Sequence, residues 1–126
     1  MIEEEQAAVL RGRCNAYLAT LMPDGAPQLT PLWTDFDGES ILVNTPEGTQ
    51  KLGNMRRDPR VSPAIQDADD RYRVLSVRGR VVGFGTGGAD THIDMLSQRH
   101  DREPWATVEG EVRVPVRIQP ERVCWV

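Results

Sequence analysis

The most constraining feature of this sequence is a strict alternation near its end, over residues 112–119. Every second position there is apolar: Val112, Val114, Val116 and Ile118. The positions between them hold Arg113, Pro115, Arg117 and Gln119. Because successive side chains of a β-strand point to opposite faces, this period of two predicts a strand with one face in a core. The fold must therefore contain a sheet with which this strand can pair.

Turn motifs indicate that the other strands are joined mainly by hairpins. Pro23-Asp24-Gly25 and Asp37-Gly38 are typical of tight turns between antiparallel strands. We predict that the first three strands form a meander and that Pro63 places its strand at an edge or a bulge. The predicted strands are six: residues 15–22, 28–36, 40–44, 61–66, 74–84 and 112–119. The predicted helices are three: residues 3–13, 49–57 and 87–100.

These elements define the fold class. Hairpin connections exclude a doubly wound parallel sheet, and a closed or partly closed antiparallel barrel buries six strands while removing their edges. The chain has 126 residues, which favours one domain over residues 1–126. We therefore expect a mainly β (α+β) protein, a small antiparallel barrel flanked by short helices.

The composition and the Cys and His spacing argue against several classes of function. The chain has 15 Lys+Arg against 19 Asp+Glu and a net charge of -4, which argues against nucleic acid as a partner. No apolar run is long enough to span a membrane, and the start of the chain is acidic. Cys14 and Cys124 form no metal or disulfide pattern, and His92 and His100 are too far apart for a helical zinc pair. We expect a soluble cytoplasmic protein with no metal site and no membrane partner.

The segment over residues 44–51 is the best candidate for binding chemistry. A strand ends there, a loop containing Gly48 turns, and a helix begins near Thr45, Thr49 and Lys51. Free N–H groups at a helix start and a nearby ammonium suit a phosphate. Three further cations follow in the sequence: Arg56, Arg57 and Arg60. The alternative interpretation is an ordinary capped surface helix with solvated basic residues.

Other sequence motifs are weaker indications of a functional site. Residues 83–88 match G-x-G-x-x-G, but the preceding strand carries charge on one face, and Glu103 lies just before Pro104 instead of ending a second parallel strand. These glycines fit a sharp turn from strand to helix. No G-x-S-x-G motif occurs, and Cys14 has no evident His partner. The absence of a self-sufficient catalytic set favours a cofactor that supplies the chemistry.

Several segments together resemble a known family. They are residues 17–21, 24–28, 30–33, 44–45, 50–61, 77–82, 89–94 and 111–123. In this order they are similar to the pyridoxamine 5'-phosphate oxidase-like split β-barrel family, and within it to the subfamily that uses the deazaflavin coenzyme F420. The Arg-Arg-Asp-Pro-Arg-Val block and the Arg-Gly-Arg-Val-Val strand carry most of this similarity.

The resemblance implies a six-stranded split barrel that forms a homodimer with a flavin-type cofactor at the subunit interface. It implies an oxidoreductase that transfers a hydride between coenzyme F420 and a small organic substrate. The implied phosphate-binding residues are Thr45, Gln50, Lys51 and Asn54. The implied ring-lining residues are Thr30, Pro31, Leu32 and Trp33. The alternatives are an FMN-binding oxidase or reductase of the same fold and a non-catalytic protein that binds a cofactor or small ligand.

The resemblance implies no catalytic side chain, because hydride transfer to or from the ring needs no protein nucleophile. Relatives usually carry arginines in the phosphate loop and the following helix, where this chain has Glu47, Thr49 and Gly53. These changes remove guanidinium contacts, and Glu47 adds a like charge near a phosphate.

Overall fold

The computed structural model describes residues 2–85 and 87–126. It contains seven strands and three helices. The strands are β1 (Cys14–Leu21), β2 (Pro27–Leu32), β3 (Asp35–Phe36), β4 (Ile41–Pro46), β5 (Arg60–Asp67), β6 (Val74–Phe84) and β7 (Arg113–Trp125). The helices are α1 (Glu4–Arg11), α2 (Gln50–Arg57) and α3 (Ala89–Asp101). None of these helices has the length and apolar character needed to cross a bilayer, over the part of the chain that is described.

The strands form one curled antiparallel sheet in the order β2-β1-β5-β6-β7-β4-β3. Its two edge strands, β2 and β3, are consecutive in the chain, so residues 33–34 lead directly from one edge of the sheet to the other. This arrangement is a half-barrel, and it confirms the predicted mainly β, antiparallel split-barrel fold.

The predicted number of strands, six, is wrong, because the expected strand over residues 28–36 is two strands. Trp33 and Thr34 separate them, and Thr34 is fully buried with its hydroxyl 3.7 Å from the Cys14 sulfur. After this bend β3 pairs with β4, whereas β2 pairs with β1. The predicted three-stranded meander is therefore also wrong, since the bend carries the chain across the barrel.

Pro63 lies in a central strand and not at an edge. β5 pairs with β1 on one side and with β6 on the other. Proline has no N–H to donate to the ladder. The adjacent Ser62 hydroxyl donates instead to the Val77 carbonyl oxygen at 2.7 Å. This side-chain hydrogen bond explains how an interior strand accepts a proline, which the sequence pattern alone did not indicate.

The core lies inside the curl, on the face that the period-two patterns predicted. In β7 the residues Val114, Val116 and Ile118 are buried, and in β6 Val77 and Val81 are buried while Arg78 and Arg80 are exposed. Helices α1 and α2 add further buried apolar side chains: Val9, Leu10, Leu52 and Met55.

The glycine-rich stretch connects β6 to α3. Gly88 has a φ of 80° and is the residue before α3, so its left-handed backbone favours glycine. Thr86, the fourth position of the G-x-G-x-x-G match, lies outside the described residues. The geometry at Gly88 agrees with a turning role for these glycines.

Gly79 is required by a close approach of two strands. A Cβ atom added there would lie 2.6 Å from the backbone oxygen of Gln119, at a register shift between β6 and β7. Since backbone cannot move aside cheaply, we expect Gly79→Ala to lower the free energy of unfolding by about 2 kcal/mol or more. Urea denaturation measures this change.

The matched control is Gly53→Ala. Gly53 lies inside α2, and a Cβ there meets no atom within 4 Å. Alanine should therefore raise the free energy of unfolding by about 0.5–1 kcal/mol. Equal effects of the two substitutions would contradict the packing described at Gly79.

Candidate functional site

A cavity of about 350 Å³ lies where β1, β2, α2, α3 and the start of β7 come together. This volume falls in the range of small-molecule sites. We call it the barrel-end cavity. Its wall is apolar and aromatic over most of its extent, and its cationic residues are Lys51 and Arg113.

Two cations reach the barrel-end cavity from distant parts of the sequence. Lys51 lies in the first turn of α2, and Arg113 is the first residue of β7. Arg113 is paired with Pro46 at the end of β4, close to where α2 begins. Burial, together with the like charge of Arg113, lowers the pKa of the Lys51 ammonium. Two like charges held together in a partly buried site favour the binding of an anion.

Arg113 is held in place by several contacts. Its Nε donates to the Asn44 side-chain oxygen at 2.7 Å, and one terminal nitrogen donates to the Glu111 carboxylate at 2.7 Å. The guanidinium also lies 5.1 Å from the centre of the Trp105 ring. Only 9% of the Arg113 side chain is exposed. Since a guanidinium has five N–H donors, such contacts leave donors for a ligand.

The aromatic part of the wall is built around Trp33. This ring stacks on His100 at a centroid distance of 5.2 Å, with the two planes inclined by 8°. Trp105 meets it edge-on at 6.0 Å. Burial, with the positive charges of Arg99 and Arg13 nearby, lowers the pKa of His100, which favours the neutral ring against Trp33. A rigid aromatic wall of this kind suits a flat ligand ring.

A chain of polar side chains continues behind the cavity. Asn44 contacts Nδ1 of His92 at 3.2 Å, and Nε2 of His92 contacts the Asp35 carboxylate at 3.2 Å. Arg99 lies 3.3 Å from the other Asp35 oxygen. Burial alone would raise the pKa of Asp35, but hydrogen bonds from His92 and the Phe36 amide, with the Arg99 charge, lower it. Asp35 is therefore a carboxylate at neutral pH.

The structure divides the residues expected to bind a cofactor into two groups. Pro31, Leu32, Trp33 and Lys51 line the barrel-end cavity. Thr30, Thr45, Gln50 and Asn54 lie outside its lining.

In the second group the buried Thr30 hydroxyl has no hydrogen-bond partner among the described residues, whereas the other three residues make contacts within the protein. The Thr45 hydroxyl is buried and lies 3.0 Å from that of Thr49. Asn54 has no exposed surface, and its amide nitrogen donates to the Thr20 hydroxyl at 3.1 Å and to Gln28 at 3.2 Å. Gln50 donates to the Asn54 oxygen at 2.8 Å. The Asn54 contacts join α2 to β1 and β2, so Asn54 serves the packing of the helix.

The cations that follow Lys51 in the sequence are engaged elsewhere. Arg56 forms a two-point ion pair with Glu47 on the surface. Arg57 donates to the Leu21 carbonyl oxygen. Arg60 pairs with the Asp58 carboxylate, whose pKa its hydrogen bonds lower to about 2. In the predicted positive region over residues 51–60, ion pairs thus neutralise Arg56 and Arg60, whereas Arg57 hydrogen-bonds to neutral oxygens and lies outside the cavity lining.

Arg113 is the site residue that the sequence interpretation missed. The alternation over residues 112–119 placed it on the strand face away from the core, which predicted solvent exposure. Only the pairing of β7 with β4 brings it beside Lys51, a contact between residues far apart in the sequence. Arg113 supplies a guanidinium that Glu47, Thr49 and Gly53 do not provide.

Neither the Cys14 thiol nor a metal-binding cluster provides a second candidate for catalysis in the described residues. Burial raises the pKa of the Cys14 thiol, which favours the unreactive protonated form. Among residues 2–85 and 87–126, no three His, Cys, Asp or Glu side chains come together in a metal-binding arrangement.

Comparison with known proteins agrees with this fold. An F420 reductase superimposes with a TM-score of 0.86 at 28% identity, covering 99% of this chain and 100% of that one. A conserved hypothetical protein from Mycobacterium tuberculosis is 31% identical with a TM-score of 0.71, covering 98% of this chain and 82% of that one. A putative pyridoxamine 5'-phosphate oxidase from Listeria innocua shares the fold at 19% identity and a TM-score of 0.72, covering 98% and 97%.

The sequence profile of one family covers nearly the whole chain. The profile described as pyridoxamine 5'-phosphate oxidase matches residues 2–116. This match confirms the resemblance seen in the sequence motifs. The chain belongs to the pyridoxamine 5'-phosphate oxidase family.

Proposed function

We propose that this protein is an oxidoreductase that transfers a hydride between coenzyme F420 and a small organic substrate. The observation that carries the proposal is the pair of cations, Lys51 and Arg113, at an otherwise aromatic and apolar cavity. A phosphate needs cationic donors, and a planar ring needs an apolar wall. Both requirements are met by side chains of one cavity.

The donor set fits a phosphate-bearing deazaflavin. Lys51 contributes a point charge, and Arg113 contributes planar N–H donors already oriented by Asn44 and Glu111. When bound, the deazaflavin ring supplies the hydride-carrying chemistry. The protein residues would hold the phosphate, orient the ring through Trp33 and exclude water through Leu32 and Ile93.

The comparisons support this choice of cofactor. The F420 reductase that superimposes at a TM-score of 0.86 shares 28% of its residues with this chain over its full length. FMN is the second candidate, because two cations suffice for a single phosphate group. The surface ion pairs Arg56–Glu47 and Arg60–Asp58 favour this alternative, since they leave those arginines less available to a longer anionic cofactor.

We also propose that the protein is a homodimer with the cofactor at the interface. The support is a group of large apolar side chains that the single chain leaves partly exposed, some of them next to the cavity. Their exposed fractions are Tyr17 45%, Leu29 65%, Val82 49%, Phe84 41% and Val112 63%. A second subunit would cover such surface.

A fluorescence titration tests the cofactor proposal. Purified protein is mixed with coenzyme F420 and, separately, with FMN, and the change in cofactor fluorescence is followed. We expect saturable binding of F420, and we expect Lys51→Ala to weaken it by about 1.5–3 kcal/mol, the value of a hydrogen bond to a charged group. The control is Arg71→Gln, an exposed substitution in the loop between β5 and β6, which should leave affinity unchanged.

The outcomes separate the candidates. Binding of FMN alone would select the FMN-dependent alternative. Binding of neither cofactor would exclude both the F420-dependent and the FMN-dependent oxidoreductase. The remaining candidate would then be a protein that binds another small ligand. Unchanged affinity in Lys51→Ala would refute the proposed anchor.

The state of Lys51 predicts how cofactor affinity depends on pH. Because burial and Arg113 lower the pKa of Lys51, this residue loses its proton at a lower pH than an ordinary lysine does. The pKa of an ordinary lysine is about 10.4. Affinity should therefore fall as the pH rises, and the fall should begin at a lower pH than an unperturbed lysine would give. In Lys51→Arg the cation stays charged, so this decline should disappear. Identical pH profiles for the two proteins would contradict the assignment.

A further inference from the structure

His92 occupies a position in the polar chain behind the cavity that fixes where its proton lies. The Arg113 Nε can only donate, so the Asn44 atom facing it at 2.7 Å must be the amide oxygen. The Asn44 amide nitrogen therefore faces His92 Nδ1 at 3.2 Å. An amide nitrogen also only donates, so Nδ1 must accept and the imidazole proton must be on Nε2. There it donates to the Asp35 carboxylate at 3.2 Å.

The chain of donors and acceptors is therefore directional. It runs from Arg113 through Asn44 to His92 and Asp35, and each contact is satisfied only by the neutral imidazole with hydrogen on Nε2. The groups along it are sheltered from water: Asn44 is buried, and the side chains of His92 and Asp35 are 18% and 14% exposed. In such a setting a mispaired donor is costly.

We propose that His92 is a positioning residue of the anion anchor: through Asn44 it holds the Arg113 guanidinium at the cavity, and only the neutral Nε2–H imidazole does so. This inference rests on the proposed function, in which Arg113 contacts the cofactor phosphate. His92 itself is outside the cavity lining.

Protonation of His92 would disrupt the arrangement. A proton on Nδ1 faces the Asn44 nitrogen, so two donors oppose each other, and turning the Asn44 amide would only move the conflict to Arg113. The charged groups around His92 act in different directions. Asp35 on β3 favours the imidazolium, whereas Arg99 on α3, which contacts Asp35, opposes it. Arg113, paired with Glu111, lies beyond Asn44.

Two substitutions separate positioning from mere packing. His92→Asn does not titrate and keeps an acceptor that can face Asn44, whereas His92→Leu removes the acceptor. We expect His92→Leu to bind coenzyme F420 about tenfold more weakly than wild type at about pH 8, the upper end of the effect of one lost neutral hydrogen bond. His92→Asn should remain close to wild type. FMN replaces F420 as the probe if only FMN binds.

The pH profile provides the readout that a structural role would not change. When affinity is measured from about pH 8 down to about pH 5, any protonation of His92 should make wild-type affinity fall further than that of His92→Asn, which has no imidazole. Protonation of the cofactor phosphate affects both proteins equally and cancels in their ratio. A ratio that stays constant over this range would overturn the proposal.

A measurement without cofactor completes the test. In a ¹⁵N-labelled sample of the whole protein at about pH 8, NMR should show the His92 proton on Nε2 and not on Nδ1. The Arg113 Nε–H signal should persist in wild type and in His92→Asn and be lost in His92→Leu. A proton on Nδ1, or an unchanged Arg113 signal in His92→Leu, would refute the role of His92. Failure of the wild-type protein to bind either cofactor would remove the proposed function, while these NMR signals would still decide the positioning.

Discussion

Replacing Arg113 by glutamine is expected to weaken binding of coenzyme F420 by about 10- to 100-fold, as loss of a charge-assisted contact implies. The guanidinium is nearly buried, is oriented by Asn44 and lines the same cavity as Lys51. Glutamine retains hydrogen-bonding capacity toward Asn44 and Glu111 but has no charge. The affinity is measured by fluorescence titration at constant pH and salt.

Glu111→Gln is the matched substitution, and it should have the opposite sign. The Glu111 carboxylate lies 2.7 Å from Arg113 and partly neutralises it. Glutamine keeps an oxygen to accept the hydrogen bond but removes the negative charge, so affinity for the anionic cofactor should rise a few-fold. If Glu111→Gln weakens binding while Arg113→Gln leaves it unchanged, Arg113 is not part of the anchor.

Replacing Asn54 by alanine is expected to lower the free energy of unfolding by about 2–4 kcal/mol, because it leaves several buried polar partners unsatisfied. Asn54 has no exposed surface, and its side chain contacts Thr20, Gln28 and Gln50. For a domain of this size the melting temperature should fall by roughly 10 °C. Cofactor affinity, measured well below that temperature, should stay near the wild-type value.

The control for Asn54 is Gln50→Ala. Gln50 is exposed and makes one of these hydrogen bonds, so its removal should cost much less stability. A reduced affinity in Asn54→Ala with unchanged stability would show that Asn54 contacts the cofactor, as the family resemblance implied. Loss of stability alone would assign it to the packing of α2.

The parts of the fold that follow from local pattern could be predicted from the sequence. The alternation over residues 112–119 predicted the first half of β7, and Asp37-Gly38 predicted the hairpin of β3 and β4. Lys51 was identified from the loop and helix start over residues 44–51, and Trp33 was identified because the motif around it resembles a family. Each of these signals lies within a short segment, which is what a sequence pattern reports.

The remaining features depend on contacts between distant residues. Thr34 is polar and gives no sign that it is buried at a bend, so β2 and β3 were expected to be one strand. The sequence pattern predicts that Arg113 faces solvent, whereas the pairing of β4 with β7 places it at the cavity. Asn54 followed a family motif, but its burial against β1 and β2 could only be seen in the folded chain. In each case long-range pairing decides the role of the side chain.

The decisive experiment is to determine the structure of the protein with coenzyme F420 bound. We expect the cofactor phosphate within about 3.2 Å of both the Lys51 ammonium and the Arg113 guanidinium, which is hydrogen-bond distance. We also expect the deazaflavin ring in the barrel-end cavity, against the wall formed by Trp33. A phosphate bound elsewhere, with Lys51 and Arg113 free of contact to it, would contradict the account.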